Sequence, residues 1–195
     1  EKGKLLITSK NIKDGKLDTS SAYLIALKDF DEVNKRSKVD KWDVLLSMIG
    51  TVGEVCLISN EPDFAIKNVG LFKCGNESNA KWFYYFLRCT IGQNHLLSRL
   101  NGTTQKYITL GELRNFPIIV PINPDEQKAI VAVLSAFDDK IELLREENKT
   151  LEEIGKTIFN EWFGKYSVDD ELPEGWRVGR LEEIFDFLEG PGIRN

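Results

Sequence analysis

A repeat of apolar residues every seven positions constrains this chain more than any other feature of its sequence. Between residues 124 and 163, apolar side chains recur at alternating intervals of four and three residues, and no further proline interrupts the pattern. This spacing is typical of an α-helix that packs one stripe against a second helix. The stripe contains Ile130, Leu134, Phe137, Ile141, Leu144, Asn148, Leu151, Ile158 and Trp162, with Gly155 at the remaining position.

Local signals mark the start of this helix. Asn123 can cap the first turn, Pro124 suits the first helical position, and the acidic residues that follow complement the helix dipole. A helix over residues 124–163 would extend for roughly 60 Å at about 1.5 Å per residue. The preceding part of the chain cannot cover the stripe of so long a rod. The pattern therefore predicts a coiled-coil partner, either a second helix of the same kind or another copy of this chain.

Asn148 places a polar side chain within the apolar stripe. A buried amide in a helix seam tends to fix the register and the orientation of the partner. If Asn148 instead lies in a solvated or frayed part of the seam, it has no such role. Both interpretations stay open at this point.

The first 121 residues predict a mixed α/β domain. Runs rich in β-branched residues alternate with turn residues and with one aromatic-rich segment that ends before Asn101-Gly102. The Thr109-x-x-Glu112 pattern is a capping box and predicts a short helical turn. The predicted strands cover 4–11, 43–59 with a turn at Gly50 and Gly53, 64–74 as a pair, and 116–120, and a single helix is predicted over 79–100.

The fold class is therefore α+β, with three segments. We expect residues 1–121 to form the mixed domain, residues 122–166 to contain the long helix, and residues 167–195 to form a short additional segment. Pro173 and Gly175 mark a fresh start in the last segment, and the final six residues resemble an unfinished loop.

Charge is divided unevenly along the chain. The formal net charge is −5, from 26 Lys and Arg against 31 Asp and Glu. The first 121 residues hold 17 basic against 13 acidic residues, a balance of +4, whereas the other 74 hold 9 against 18, a balance of −9. A basic first part favours contact with nucleic acid, although a mildly basic solvated surface is an equal alternative.

The sequence contains no recognisable catalytic pattern. His95 is the single histidine, and no phosphate-binding glycine motif or metal-ligand spacing occurs. These observations predict a binding protein and not an enzyme, and we expect it to need no cofactor or metal. The three cysteines Cys56, Cys74 and Cys89 lack close spacing, and the chain has neither an 18-residue apolar run nor a signal-peptide pattern. We therefore expect a cytoplasmic protein without a membrane segment.

Three segments combine flexible backbone with short polar side chains and a nearby lysine. They are residues 9–11, 50–53 and 101–107. Such groups suit phosphate contacts and hydrogen bonds to base edges, although each segment alone is also compatible with an ordinary turn. The residues predicted to face DNA are Lys10, Asn11, Thr51, Thr104, Gln105 and Lys106.

The order of motifs resembles one known family. A loop GTTQKYITLGELRNFPIIVP is followed by a helix containing NPDEQKAIVAVLSAFDDKIEL, which ends in IFNEWF before a restart at LPEGWRVGRLEEI. This arrangement resembles the specificity subunit of Type I restriction-modification systems. The Glu126-Gln127 entry into the helix and the IFNEWF exit are typical of the spacer helix in that family.

The resemblance implies a non-catalytic, sequence-specific DNA reader. In that family, each of two recognition domains reads one half of a bipartite DNA target, and two long helices pair as an antiparallel coiled coil. The same helices dock methylation subunits, and restriction subunits join the complex. The alternative is a coiled-coil assembly scaffold that does not bind DNA. A stand-alone nuclease or methyltransferase is disfavoured by the missing motifs.

This chain departs from the family pattern in its order. The P-x-G-W segment that usually opens a recognition domain stands here at Pro173–Trp176, after the helix. The chain is then either a fragment from the middle of a two-domain subunit or a permuted half subunit. We favour the second arrangement, in which residues 167–195 complete domain 1–121 in the same chain or in a partner. The unpaired helix then predicts a homodimer, whose twofold symmetry implies a palindromic DNA site.

Overall fold

The computed structural model describes residues 3–186 and 188. Contacts divide the chain into two compact units, the first ending at Asp138 and the second starting at Asp139. The strands are β1 Lys4–Ile7, β2 Ile12–Lys13, β3 Lys16–Leu17, β4 Tyr23–Ile25, β5 Asp43–Ser47, β6 Val55–Leu57, β7 Phe64–Ile66 and β8 Val69–Lys73. The helices are α1 Leu27–Ser37, α2 Glu77–Arg88, α3 Thr90–Leu97, α4 Leu110–Arg114 and α5 Pro124–Phe163.

Two three-stranded sheets and one hairpin make up the β structure of the first unit. In one sheet, β1 pairs antiparallel with β4 and parallel with β7. In the other, the central strand β5 pairs antiparallel with β6 and with β8. The short strands β2 and β3 form a separate hairpin. The strand pair predicted over 43–59 is thereby confirmed as β5 and β6. The segment 64–74 contains two strands, as predicted, but they do not pair with each other, because β7 joins β1 and β8 joins β5.

Strand β5 separates two apolar clusters because successive side chains of a strand point to opposite faces. Val44 and Leu46 belong to a cluster with Tyr84 and Leu87 of α2. Leu45 belongs to the other cluster, formed with side chains from the first sheet and its connections. All five residues of β5 are buried, so this strand is the structural centre of the domain.

The single helix predicted over 79–100 is wrong, because the segment forms α2 and α3 with a break at Cys89. Asn76 caps α2 through its side-chain oxygen, which accepts a hydrogen bond from the Asn79 N–H at 2.9 Å. Cys89 is extended and caps α3. A Cβ on Gly92 would lie 2.0 Å from the Phe86 carbonyl oxygen. The start of α3 therefore folds back against the end of α2, which a continuous helix does not permit.

The strand predicted over 116–120 is also wrong. Pro117 and Pro121 lack the N–H groups that hydrogen bonding between β-strands needs. In the described part of the chain, residues 116–120 form no strand. The segment is held instead by the Trp82 indole, which donates to the Ile119 carbonyl oxygen at 2.9 Å. The preceding prediction is confirmed, since Thr109 caps α4 by accepting a hydrogen bond from the Glu112 N–H.

Helix α5 has the predicted bounds, Pro124–Phe163, and contains 40 residues. The Asn123 side chain accepts a hydrogen bond from the Asp125 N–H at 2.9 Å, as the capping pattern predicts. Among its residues only Gln127 and Val131 are buried. The apolar stripe, which we call the seam, is exposed, from 37% at Leu134 to 65% at Phe137 and Trp162.

In the second unit, aromatic rings pack around the end of α5. Trp176 lies 5.4 Å from Phe163 and 5.7 Å from Tyr166, measured between ring centroids. Arg177 pairs with Glu183 at 2.6 Å, beside a 3-10 turn at Leu181–Glu183. The loop predicted over the final six residues lies outside the described residues.

Candidate nucleic-acid interface

Two loops that are distant in sequence meet beyond the end of β5. The turn between β5 and β6, residues 48–54, lies beside the loop formed by residues 101–107. The Gly50 N–H donates to the Lys106 carbonyl oxygen at 3.1 Å, and the Ile108 N–H donates to the Met48 carbonyl oxygen at 3.0 Å. Ile49 and Tyr107 form an antiparallel bridge between these bonds. We call the combined residues 49–53 and 101–107 the paired-loop surface.

The 101–107 loop is closed by its own ends. Asn101 and Tyr107 exchange two backbone hydrogen bonds of 2.8 and 3.0 Å. Gly102 has φ +87°, and a Cβ there would lie 2.3 Å from the Gln105 carbonyl oxygen. Glycine is therefore required for the tight closure, and the residues between the ends are held outward.

Gln93 of α3 fixes the other loop. Its Nε2 donates to the Gly53 carbonyl oxygen at 3.0 Å and to the Leu87 carbonyl oxygen at 2.7 Å. Gly53 has φ +103°, and a Cβ at this position would lie 2.9 Å from the Gln93 Oε1. Gln93 thus connects the turn to α2 and α3, which we call the helical layer.

Four of the six residues predicted to face DNA are exposed on this surface. Thr51 is exposed on the 48–54 turn, and Thr104, Gln105 and Lys106 are exposed on the neighbouring loop. Within residues 3–186, Lys106 forms no ion pair with another side chain. The surface therefore presents hydroxyl, amide and ammonium groups side by side.

Lys10 is exposed on the 3-10 turn Ser9–Asn11. The turn is held by the Ser9 hydroxyl, which donates to the Asn68 carbonyl oxygen at 2.9 Å. Across the described ranges, no hydrogen bond joins Lys10 to either loop of the paired-loop surface. The structure therefore places this lysine on a separate element.

Asn11 requires a correction, because it cannot face DNA from its position in the structure. The residue is 1% exposed. Its Oδ1 accepts hydrogen bonds from the Thr8 N–H and hydroxyl at 2.9 and 3.0 Å, while its Nδ2 donates to the Asp18 carbonyl oxygen at 3.0 Å. Asn11 instead stabilises the path of the chain from β1 into β2, by satisfying backbone groups that would otherwise lack partners.

The β2–β3 hairpin is an element next to this surface that the sequence reasoning missed. Its turn contains Asp14 and Gly15, both with positive φ. The Asp14 N–H donates to Glu54 Oε2 at 3.1 Å, which ties the hairpin to the 48–54 turn. The signal was present in Lys13-Asp14-Gly15-Lys16, because Asp-Gly is a preferred pair in tight hairpin turns.

A polar cleft of about 260 Å³ lies between the hairpin, the 48–54 turn and the helical layer. Arg88 lines this cleft, donates a hydrogen bond to the Tyr84 hydroxyl and stacks over the Tyr84 ring at 4.8 Å. Burial raises the pKa of Tyr84, while the adjacent guanidinium opposes that shift. The other lining residues are Asp14, Gly15, Val52, Gly53, Glu54, Val55 and Gln93.

These groups are suited to polar recognition. Hydroxyl and amide side chains can donate to and accept from base edges, and a lysine can contact phosphate. Among the described residues, no group of three or more His, Cys, Asp or Glu side chains could hold a metal ion. No helix in the same part of the chain is both long and apolar enough to cross a bilayer.

Comparison with known proteins identifies relatives of this architecture. Residues 1–153 match the family model described as Type I restriction modification DNA specificity domain. The MjaVIII specificity subunit of a Type I restriction enzyme from Methanocaldococcus jannaschii is 34% identical over 88% of this chain and 42% of its own length. The MjaIX specificity subunit from the same organism is 29% identical over 77% of this chain and 37% of its own length.

A solved structure has a related fold. The HsdS subunit from Thermoanaerobacter tengcongensis superimposes with a TM-score of 0.53 at 17% identity, covering 89% of this chain and 46% of that chain. The chain thus spans less than half the length of these relatives. Since the family model covers most of the residues, including the paired-loop surface and the first part of α5, the chain belongs to the family of Type I restriction-modification DNA specificity domains.

Proposed function

We propose that this chain is the sequence-reading, non-catalytic component of a Type I restriction-modification complex. Its first unit reads one half of a bipartite double-stranded DNA target through the paired-loop surface. The observation that carries the proposal is the main-chain pairing of the 48–54 turn with the 101–107 loop, which exposes Thr51, Thr104, Gln105 and Lys106 together. Membership of the specificity family supports the same role.

Charge distribution supports DNA as the ligand of the first part. Residues 1–121 have a balance of +4, while the acidic excess lies in the remaining residues. The three cysteines are free, which supports the reducing cytoplasm as the compartment. The proposal concerns binding alone, and chemistry would reside in the methylation and restriction subunits of the complex.

We propose further that α5 pairs antiparallel with a second helix of the same kind, supplied by another copy of this chain. The exposed seam supports this arrangement, because a soluble helix seldom leaves so long an apolar stripe in water. The paired helices would separate two half-site readers and dock the methylation subunits. Residues 167–195 would complete the recognition domain in the same chain or in the partner, as their resemblance to a domain opening suggests.

The direct test is selection of duplex DNA from a randomised pool, followed by salt titration of the selected sequence. We expect an enriched half-site, and an affinity that falls steeply with salt as the protein displaces counterions from phosphates. Absence of any complex at low salt would contradict DNA reading. That outcome would favour a protein-only coiled-coil scaffold.

Lys106→Ala is expected to weaken binding to all sequences about equally. Loss of one phosphate contact reduces the slope of log affinity against log salt by about 1. Fluorescence anisotropy with labelled duplexes measures both quantities. Lys41→Ala is the matched control, because Lys41 precedes β5 whereas the paired-loop surface follows it, roughly 16 Å further along the strand. Equal slopes for Lys106→Ala and the unsubstituted protein would contradict this role.

Gln105→Ala is expected to relax base preference at one position of the half-site. An amide that bonds to a base edge discriminates by about 1–3 kcal/mol, so the selected sequence should lose its preference at that position alone. Repeating the pool selection with the variant gives the result. Sequence-independent loss of affinity, like that expected for Lys106→Ala, would show that Gln105 does not read a base.

A further inference from the structure

The first turns of α5 are bound to the recognition domain through one face. Gln127, at 7% exposure, donates through Nε2 to the Ser78 carbonyl oxygen at 3.3 Å and to Asn79 Oδ1 at 3.2 Å. Val131, one turn later, is also 7% exposed. This face connects the start of α5 to the first turn of α2.

A second polar contact lies further along both helices. The Tyr85 hydroxyl of α2 donates to the Ser135 hydroxyl at 3.3 Å. Burial raises the pKa of Tyr85 to about 12. The hydrogen bond with Ser135 opposes this shift, and the neighbouring Asp138 carboxylate adds to it. Tyr85 therefore remains a neutral donor throughout the physiological range. We call Gln127, Val131, Ser135 and Asp138, with Tyr85, the helix anchor.

The two polar contacts show how the start of α5 lies on α2. From Asn79 to Tyr85 the contacts advance by six residues, and from Gln127 to Ser135 by eight. At about 1.5 Å per residue these steps measure about 9 and 12 Å in the same direction. The first turns of α5 therefore run alongside α2, and two separated contacts resist rotation better than one.

The anchor and the seam occupy different faces of α5. With about 100° of rotation per residue, the anchor residues lie about 90° around the helix from Ile130, Leu134 and Phe137. The seam thus stays exposed while the neighbouring face holds the domain. The anchor, this part of the seam and the paired-loop surface all lie within the first compact unit.

We propose that Tyr85 is a positioning residue that fixes the direction of the paired-loop surface about the first part of the seam, Ile130, Leu134 and Phe137. The inference rests on the proposed function, because this direction would set how two readers on paired helices face one DNA duplex. B-DNA turns once in about 10–10.5 base pairs, so a rotation of about 35° changes the matching half-site spacing by about one base pair. Tyr85 would then govern spacing without contacting DNA.

The first experiment measures the orientation without DNA. Spin labels are attached to Thr104→Cys and Ala136→Cys in a background with Cys74→Ser and Cys89→Ser, and their separation is measured by double electron–electron resonance. The labelled protein is diluted with an excess of unlabelled protein, so that a dimer carries labels on only one copy. We then expect one narrow distance in the otherwise unsubstituted protein and a broadened distribution with Tyr85→Phe, which removes only the hydroxyl. Tyr23→Phe, on the exposed edge strand β4, is the matched control and should leave the distance narrow.

The second experiment uses unlabelled protein and duplexes that carry two inverted copies of the selected half-site at varied spacing. Tyr85→Phe and Ser135→Ala should widen the spacing optimum by at least about one base pair on either side, with unchanged sequence preference within each half-site. If Tyr85 only stabilised the fold, Tyr85→Phe would lower the affinity for duplexes of every spacing by the same factor. Tyr23→Phe should match the unsubstituted protein.

Each outcome separates this inference from the proposed function. An unchanged distance distribution in Tyr85→Phe would overturn the positioning role. A broadened distance with an unchanged spacing optimum would overturn it as well, because orientation would then not determine spacing. If the unsubstituted protein binds no DNA, the proposed function fails, while the distance measurement still decides whether Tyr85 fixes the orientation.

Discussion

Leu87→Ala is expected to lower the free energy of unfolding by about 3 kcal/mol, within the range of about 2–5 kcal/mol for buried leucines. Leu87 is fully buried and lies in the cluster formed by α2, α3 and β5. Its truncation removes apolar contacts and leaves a cavity that rigid strands and helices fill only partly. Urea denaturation followed by circular dichroism measures the change.

The neighbouring helix offers a matched control for this prediction. Leu97 of α3 is 53% exposed, so Leu97→Ala should change stability by less than about 1 kcal/mol. A comparable loss in both variants would contradict the placement of the core. Leu87 also supports the paired-loop surface, because its carbonyl oxygen accepts a hydrogen bond from Gln93.

Ile141→Glu is expected to convert the proposed dimer into a monomer. Ile141 is 47% exposed in the single chain and lies in the middle of the seam. A glutamate there remains hydrated in the monomer but would be buried without a partner in a helix pair, at a cost of several kcal/mol. The dissociation constant of the dimer should rise at least about 100-fold. Sedimentation velocity near micromolar concentration measures the shift.

Leu143→Glu is the matched control for the seam. Leu143 is 52% exposed and lies two residues further on, outside the seam, so the same substitution should leave the dimer intact. Equal dissociation in both variants would contradict pairing through the seam. A monomeric unsubstituted protein would contradict the dimer itself.

Helix α5 is the part of the fold that sequence reasoning predicts best. Its cap, first proline and apolar repeat all lie within the segment itself, and the bounds Pro124–Phe163 follow from them. The strand pair around Gly50 and the existence of two strands after Phe64 are predictable for a similar reason, since turn residues separate short apolar runs. The sheets that those two later strands join are not predictable in this way. Local signals suffice where neighbours in sequence determine the structure.

Elsewhere the structure depends on contacts between distant residues. The fold-back at Cys89 arises from the approach of Gly92 to α2, and the 116–120 segment lacks a strand partner despite its β-branched residues. The Ser9–Asn11 segment has the composition of a surface turn, yet Asn11 is buried by the segments that follow it. Helix α1 contains no buried residue, and its apolar face is short, with Leu27, Phe30 and Val33 at intervals of three.

The candidate site was predictable residue by residue but not as a surface. Thr51 and Lys106 stand out by composition, whereas their proximity depends on hydrogen bonds between segments separated by more than 50 positions. The Asp14-Gly15 hairpin had a local signal, but its contact with Glu54 did not. Side-chain chemistry is visible in a sequence, while the joining of loops is a property of the fold.

The way the two loops are joined has a consequence for how new targets could arise. The hydrogen bonds between the 48–54 turn and the 101–107 loop connect backbone atoms. Within the 101–107 loop, position 102 requires glycine because of its backbone geometry. The side chains of Thr103, Thr104 and Gln105 can therefore be exchanged with little effect on the frame that presents them. Such a frame permits target preference to diverge through a few substitutions while the fold is inherited unchanged.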